Sequence, residues 1–163
     1  MKEISMLVLL HAGLGELGVL CFLWIIAEII NGSQDAFKRA RIISVAGLIL
    51  FVGSWIVGGY YYVTVYGPIV KPVVLGSPYP WAHGIVMEVK EHVFLLVPIM
   101  AAAVTIALLS SKDFKEMTKR GRTALGLLSG LVFLAGFSMA FLGFLIASGA
   151  RAGLAAGGML GAP

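Results

Sequence analysis

The chain has 163 residues, of which 60% are apolar and only 12% charged, and its mean hydropathy is +0.98. So few charges cannot keep a folded surface of this size solvated, which excludes a water-soluble domain. The net charge of +4 is no signal for nucleic acid either, because the basic residues are distributed by loop and form no single patch.

Apolar runs at about 4–30, 42–66, 92–110 and 123–149 are each near or above the ~20 residues a helix needs to cross a bilayer. They predict an all-α integral membrane four-helix bundle, up-down-up-down, forming a single domain over 1–163. The first run is too long for the apolar core of a signal peptide. Its leading end, Met1-Lys2-Glu3, is not clearly basic, and no small-x-small cleavage site follows it. It reads as an uncleaved span. Cys21, the sole cysteine, falls in the middle of that span and reads as a small hydrophobe.

The connection from Asn31 to Ala40 is short and carries Asn-Gly-Ser punctuation, so the first two spans are expected to be antiparallel neighbours. Glu28, near that end, is expected to pair with Lys38 or Arg41. Between spans two and three, residues 66–81 read YGPIVKPVVLGSPYPW. Pro68, Pro72, Pro78 and Pro80 argue against a regular helix. They predict an outer loop lying on the membrane surface, with Tyr66, Tyr79 and Trp81 at headgroup level. The loop reads either as an interfacial lid or as a docking surface for other membrane subunits or an external cytochrome.

Past Pro80 a third helix is expected from about residue 84, with its apolar part at 92–110 and a kink where Pro98 frees the carbonyl of Phe94. The connection Ser110 to Arg122 alternates charge and reads as a solvated cap, and the small-residue-rich tail 150–163 as a flexible end. Lys38, Arg39 and Arg41 follow span one, and Lys112, Lys115, Lys119, Arg120 and Arg122 follow span three; the other side holds Lys2, Lys71, Lys90 and Arg151. Positive loops stay in the cytoplasm, which predicts a multi-pass protein of the cell membrane with both termini outside.

Three histidines carry the candidate chemistry. His11 lies 19 residues before Ile30 and His92 lies 17 before Leu109, which sets them roughly 28 and 26 Å above the basic end at 1.5 Å per residue. Histidine in hydrocarbon is expensive and is kept for a purpose. Two at one depth, on the diagonal spans of a bundle, suit a flat ligand between them. Gly58 and Gly59 in span two and Gly143 in span four come to about the same depth. There they either admit a planar group or only allow close helix packing.

Glu88, one turn before His92, and Glu16, about one and a half turns after His11, are candidates to orient those imidazoles or relay protons. The run Tyr60-Tyr61-Tyr62 reads as an aromatic belt, with Tyr61 a candidate partner for a haem propionate or a quinone. His83, nine residues before His92, turns to the opposite face and is expected above the membrane. Gly13-Leu14-Gly15-Glu16-Leu17-Gly18 matches G-x-G-x-x-G letter for letter, but it follows no strand and is no dinucleotide site.

Through His11, His92, Gly59 and Gly143 the layout resembles the small four-helix membrane-bound b-type cytochromes, in which paired histidines hold haem inside the bundle. The resemblance implies one bis-histidine haem b near the outer face and electron transfer between quinol and an external carrier. Many members of those families hold two haems with four histidines, whereas this chain has three histidines, all toward the outside. Two other readings stand beside it. One is a non-catalytic accessory subunit of a larger membrane complex. The other is a copper or zinc site at His11 and His92 with a carboxylate, where Met87 and Met139 would favour Cu(I).

Overall fold

A computed structural model describes the backbone of residues 2–160 and the side chains of 6–157. It is all-helical, and a helix satisfies its backbone N–H and C=O groups within itself, without water. Four helices follow one another: α1 (Lys2–Asn31), α2 (Gln34–Leu75), α3 (Ala82–Ser110) and α4 (Lys119–Leu160). All four are long and apolar enough to cross a membrane.

The turn between α1 and α2 is only Gly32 and Ser33. Gly32 takes φ +68°, a left-handed conformation that costs glycine nothing and ends α1, its N–H reaching the Glu28 carbonyl at 3.1 Å. Ser33 then caps α2, its hydroxyl accepting from the Ala36 N–H at 3.1 Å. Glu28 is held by Arg39, at 2.7 and 2.8 Å, and by the Trp24 indole N–H at 2.8 Å. The expected partners are otherwise engaged: Lys38 pairs with Asp35, and Arg41 donates to the Leu109 carbonyl.

The proline-rich stretch departs furthest from expectation. α2 runs on to Leu75, where a loop from 66 was predicted, and only residues 76–81 turn the chain. Its outer part widens into a π-helix over Tyr62–Val70 that contains Pro68. Pro72 stands at the start of the closing α-turn, where its missing N–H matters least. The Thr64 hydroxyl donates to the Tyr60 carbonyl at 2.7 Å within the same region. α3 also opens π-helically, over Ala82–Met87, and it breaks at Leu95, three residues before Pro98, as the proline predicts. Residues 150–160, expected to be flexible, continue α4 as helix, while 161–163 lie outside the described residues.

α1 packs against α2 and α4, and α3 against the same two, so α1 and α3 form the diagonal pair. Contacts between Phe37 and Phe114, 4.8 Å between ring centroids, join the two connections at one end, the basic end. Phe114 is buried there, so the second connection is anchored and not merely solvated. At the opposite, aromatic end, Gly149 closes on Ala82 and Gly153 on the Val73 backbone.

The buried residues form two clusters. The larger, at the basic end, is built on Phe22, Ile25, Phe37, Phe51, Val104 and Phe114, with Cys21 packed against it. The smaller, at the aromatic end, comprises Tyr66, Val86, Met87 and Ile146. Close approach in the first depends on small residues: a Cβ on Gly136 would lie 2.6 Å from a Val19 methyl and 3.4 Å from the Phe51 ring. Gly130, one face away, has open space. Gly136→Ala is therefore expected to destabilise the purified protein by about 1–3 kcal/mol through overpacking, and Gly130→Ala to leave its melting temperature in detergent unchanged.

Candidate functional site

Between the two apolar clusters α3 carries Glu88-Val89-Lys90-Glu91-His92. Helical geometry puts His83, Met87, Lys90 and Phe94 on one face, and Met87 marks that face as inward. Lys90 reaches toward α4, its Nζ 3.3 Å from where a Cβ on Gly143 would stand. Glu91 Oε1 is fully covered and has no hydrogen-bond partner among the described residues. Tyr62 of α2 faces this carboxylate.

His11 enters the same layer from α1. Its Nδ1 lies 2.9 Å from the Ser54 carbonyl and 3.1 Å from the Ser54 hydroxyl, which in turn donates to the His11 carbonyl at 2.9 Å. A carbonyl only accepts, so Nδ1 carries a proton. Gly58 makes room: a Cβ there would lie 2.6 Å from the imidazole, whereas Gly59 faces open space. Close approach thus belongs to Gly58 and not to Gly59.

The two histidines are not brought together. The α3 ring that stands against His11 is Phe94, with centroids 6.3 Å apart at 73°. His92 lies two residues earlier, roughly 200° around the helix, exposed, with its Nδ1 2.6 Å from the Glu88 carbonyl of its own helix. The residues do not fit a bis-histidine haem between α1 and α3. Nor is there, among the described residues, a group of three or more His, Cys, Asp or Glu that could hold a copper or zinc ion.

Of the proposed supporting residues, Glu88 is exposed and Glu16 points out of the bundle, away from His11. Tyr61 is half-buried against the smaller cluster, its ring 6.4 Å from that of Tyr66.

His83 is the largest correction. It is 4% exposed, not a surface residue, and its Nδ1 shares a 3.1 Å hydrogen bond with the hydroxyl of Tyr66, itself 1% exposed. Tyr66, expected in the outer loop, is instead buried within α2 and stacks on Tyr62, 5.4 Å between centroids. The two π-helical stretches supply the two partners of this bond, and π-turns are frequent where a side chain is re-aimed for function.

Sequence reasoning passed over Ser54, Lys90, Glu91 and the Tyr66–His83 pair. The available signal was the shared face of His83, Met87, Lys90 and Phe94. Comparison with protein families, curated proteins and solved structures finds no match for this chain. Fold and site together define a four-helix protein whose helices are long and apolar enough to cross a membrane, with ionisable side chains between its two apolar clusters.

A double-mutant cycle on Tyr66→Phe and His83→Ala, read by unfolding in detergent, is expected to give a coupling of about 1 kcal/mol. Tyr60→Phe, at an exposed position, is expected to change nothing.

Proposed function

We propose that the polar layer is a headgroup site for a membrane-soluble quinol, and that the protein is a quinol-binding subunit of a membrane electron-transfer chain. The observation that carries this reading is Glu91 Oε1, a buried acceptor without a donor. Left unpaired, such an atom costs its full desolvation penalty; with the Tyr62 hydroxyl facing the same carboxylate, there is place for a further donor from a ligand. A quinol hydroxyl is such a donor, and the Tyr61 and Tyr62 rings beside the site suit a flat aromatic headgroup. Ionisable side chains within a membrane bundle mark substrate and proton routes.

The sorting of basic residues orients the molecule. Lys38, Arg39, Arg41 and the lysines and arginines between 112 and 122 keep the basic end in the cytoplasm, which sets the polar layer in the outer half of a cell membrane. Oxidising one quinol releases two protons and two electrons. Glu91 accepts one hydroxyl proton, the second passes to water at the aromatic end, and the two electrons leave one at a time to two molecules of an external one-electron carrier of the cytochrome class. That carrier approaches the aromatic end, where Tyr79 and Trp81 are exposed.

The test is a titration of the purified protein with a short-tailed benzoquinol, followed by quenching of tryptophan fluorescence. Saturable binding is expected. Glu91→Leu removes the acceptor and should weaken binding about tenfold or more while raising the melting temperature, because an unpaired buried carboxylate is gone. His92→Ala should leave binding unchanged. Absence of saturable binding by the wild-type protein would overturn the proposal.

A further inference from the structure

At the basic end, Lys38, Arg41, Ile42 and Val45 of α2 and Leu109 of α3 line a groove of about 300 Å³. Arg41, Ile42 and Val45 follow Lys38 by three, four and seven residues, so the α2 wall is one helical stripe, basic first and aliphatic after. Ile49 and Val52 carry the stripe further, and both are exposed.

Arg41 is set in place before anything binds. Its guanidinium donates at 3.2 Å to the Leu109 carbonyl, one of the last four of α3 that lack an intrahelical partner. It also lies 5.8 Å from the centroid of the Phe37 ring. That hydrogen bond uses one of five N–H donors. Among the described residues no carboxylate pairs with Arg41: the ion pairs there are Lys38 with Asp35 and Arg39 with Glu28. The first of these is open to solvent, its side chains 66% and 78% exposed, so it holds Lys38 only weakly. Two cations against the single carboxylate of Asp35 leave the mouth of the groove positive.

We infer that this groove holds one anionic glycerophospholipid of the leaflet at the basic end, its phosphodiester on Arg41 and Lys38 and an acyl chain along Ile42, Val45 and Leu109. Charge and length together select this occupant. A guanidinium meets two phosphate oxygens side by side, and basic pockets between membrane helices take anionic headgroups. Val52 lies ~17 Å beyond Arg41 at 1.5 Å per residue, about half of a ~30 Å hydrocarbon core and so the depth of one leaflet. A zwitterionic lipid would bring a third cation to the two already there, and a soluble anion would leave the stripe uncovered. The inference uses only the membrane-spanning reading of α2 and α3 and is independent of the quinol site.

A second groove supplies the comparison. Lys119, Arg120, Thr123, Ala124 and Leu127 line it, with the same two kinds of cation but on α4 alone, without a second helix to wall an acyl chain.

The experiment strips the full chain of lipid in a neutral detergent and titrates it with phosphatidylglycerol or with phosphatidylcholine of the same chains, counting bound lipid by native mass spectrometry. One phosphatidylglycerol is expected to bind about tenfold or more tightly than phosphatidylcholine. Lys38→Ala combined with Arg41→Gln should abolish that preference. Lys119→Ala combined with Arg120→Ala removes as much charge and should leave it intact. Gln at position 41 keeps an N–H for the Leu109 carbonyl, and Lys38→Ala alone, at an exposed site, should already lower the preference several-fold, so a folding defect in the double variant does not hide the result. Glycerol phosphate at the lipid's concentration should not compete. Equal affinity for the two lipids, an equal loss in both double variants, or competition by glycerol phosphate as strong as by the lipid would each overturn the inference.

Discussion

Four helices long and apolar enough to cross a membrane bring one constraint with them: hydrocarbon offers the backbone no hydrogen bonds, so such a chain supplies its own. The constraint is strong enough to carry α2 through two prolines. In water, Pro68 and Pro72 end a helix, because exposed carbonyls and N–H groups find solvent at once. In lipid the alternatives cost more, and the helix instead widens into a π-turn and closes again at Leu75. The Thr64 hydroxyl takes up the Tyr60 carbonyl in the same stretch. The break at Leu95 is the same response to Pro98 on α3.

Widening has a geometric effect on the site. An extra residue per turn rotates everything beyond it. The rotation brings Tyr66 inward onto His83, from a segment that begins as an exposed belt at Tyr60. The polar layer and the smaller apolar cluster are both products of backbone adjustments made to satisfy prolines.

This also explains what could be read from the residues alone. The four long apolar helices and the Gly32–Ser33 reversal are legible because run length and punctuation are one-dimensional signals. Height is one-dimensional too, so the depth of His11 is recoverable by counting. Rotation about the helix axis is not. His92 and Phe94 differ by only about 3 Å in height but stand on opposite sides of α3, and it is Phe94 that meets His11. Choosing between them required knowing which face of α3 packs inward. Glu91 was hidden for a related reason: among Glu88, Lys90 and His92 it looks like part of a solvated helix end, and only the packing of α3 in the bundle shows that its Oε1 is covered.

The division of the interior into two unequal clusters has a mechanical meaning. The larger one locks all four helices with rings and methyl groups at the basic end, where Glu28 and Arg39 also clamp the first hairpin. The smaller one has few buried side chains and is separated from the larger by groups that pack through hydrogen bonds. Local opening free energy follows buried apolar contact, so the molecule behaves as a stiff base with a compliant head. The head is therefore the part expected to open first, and the ligand of the proposed function would enter there, between α3 and its neighbours, while the base holds.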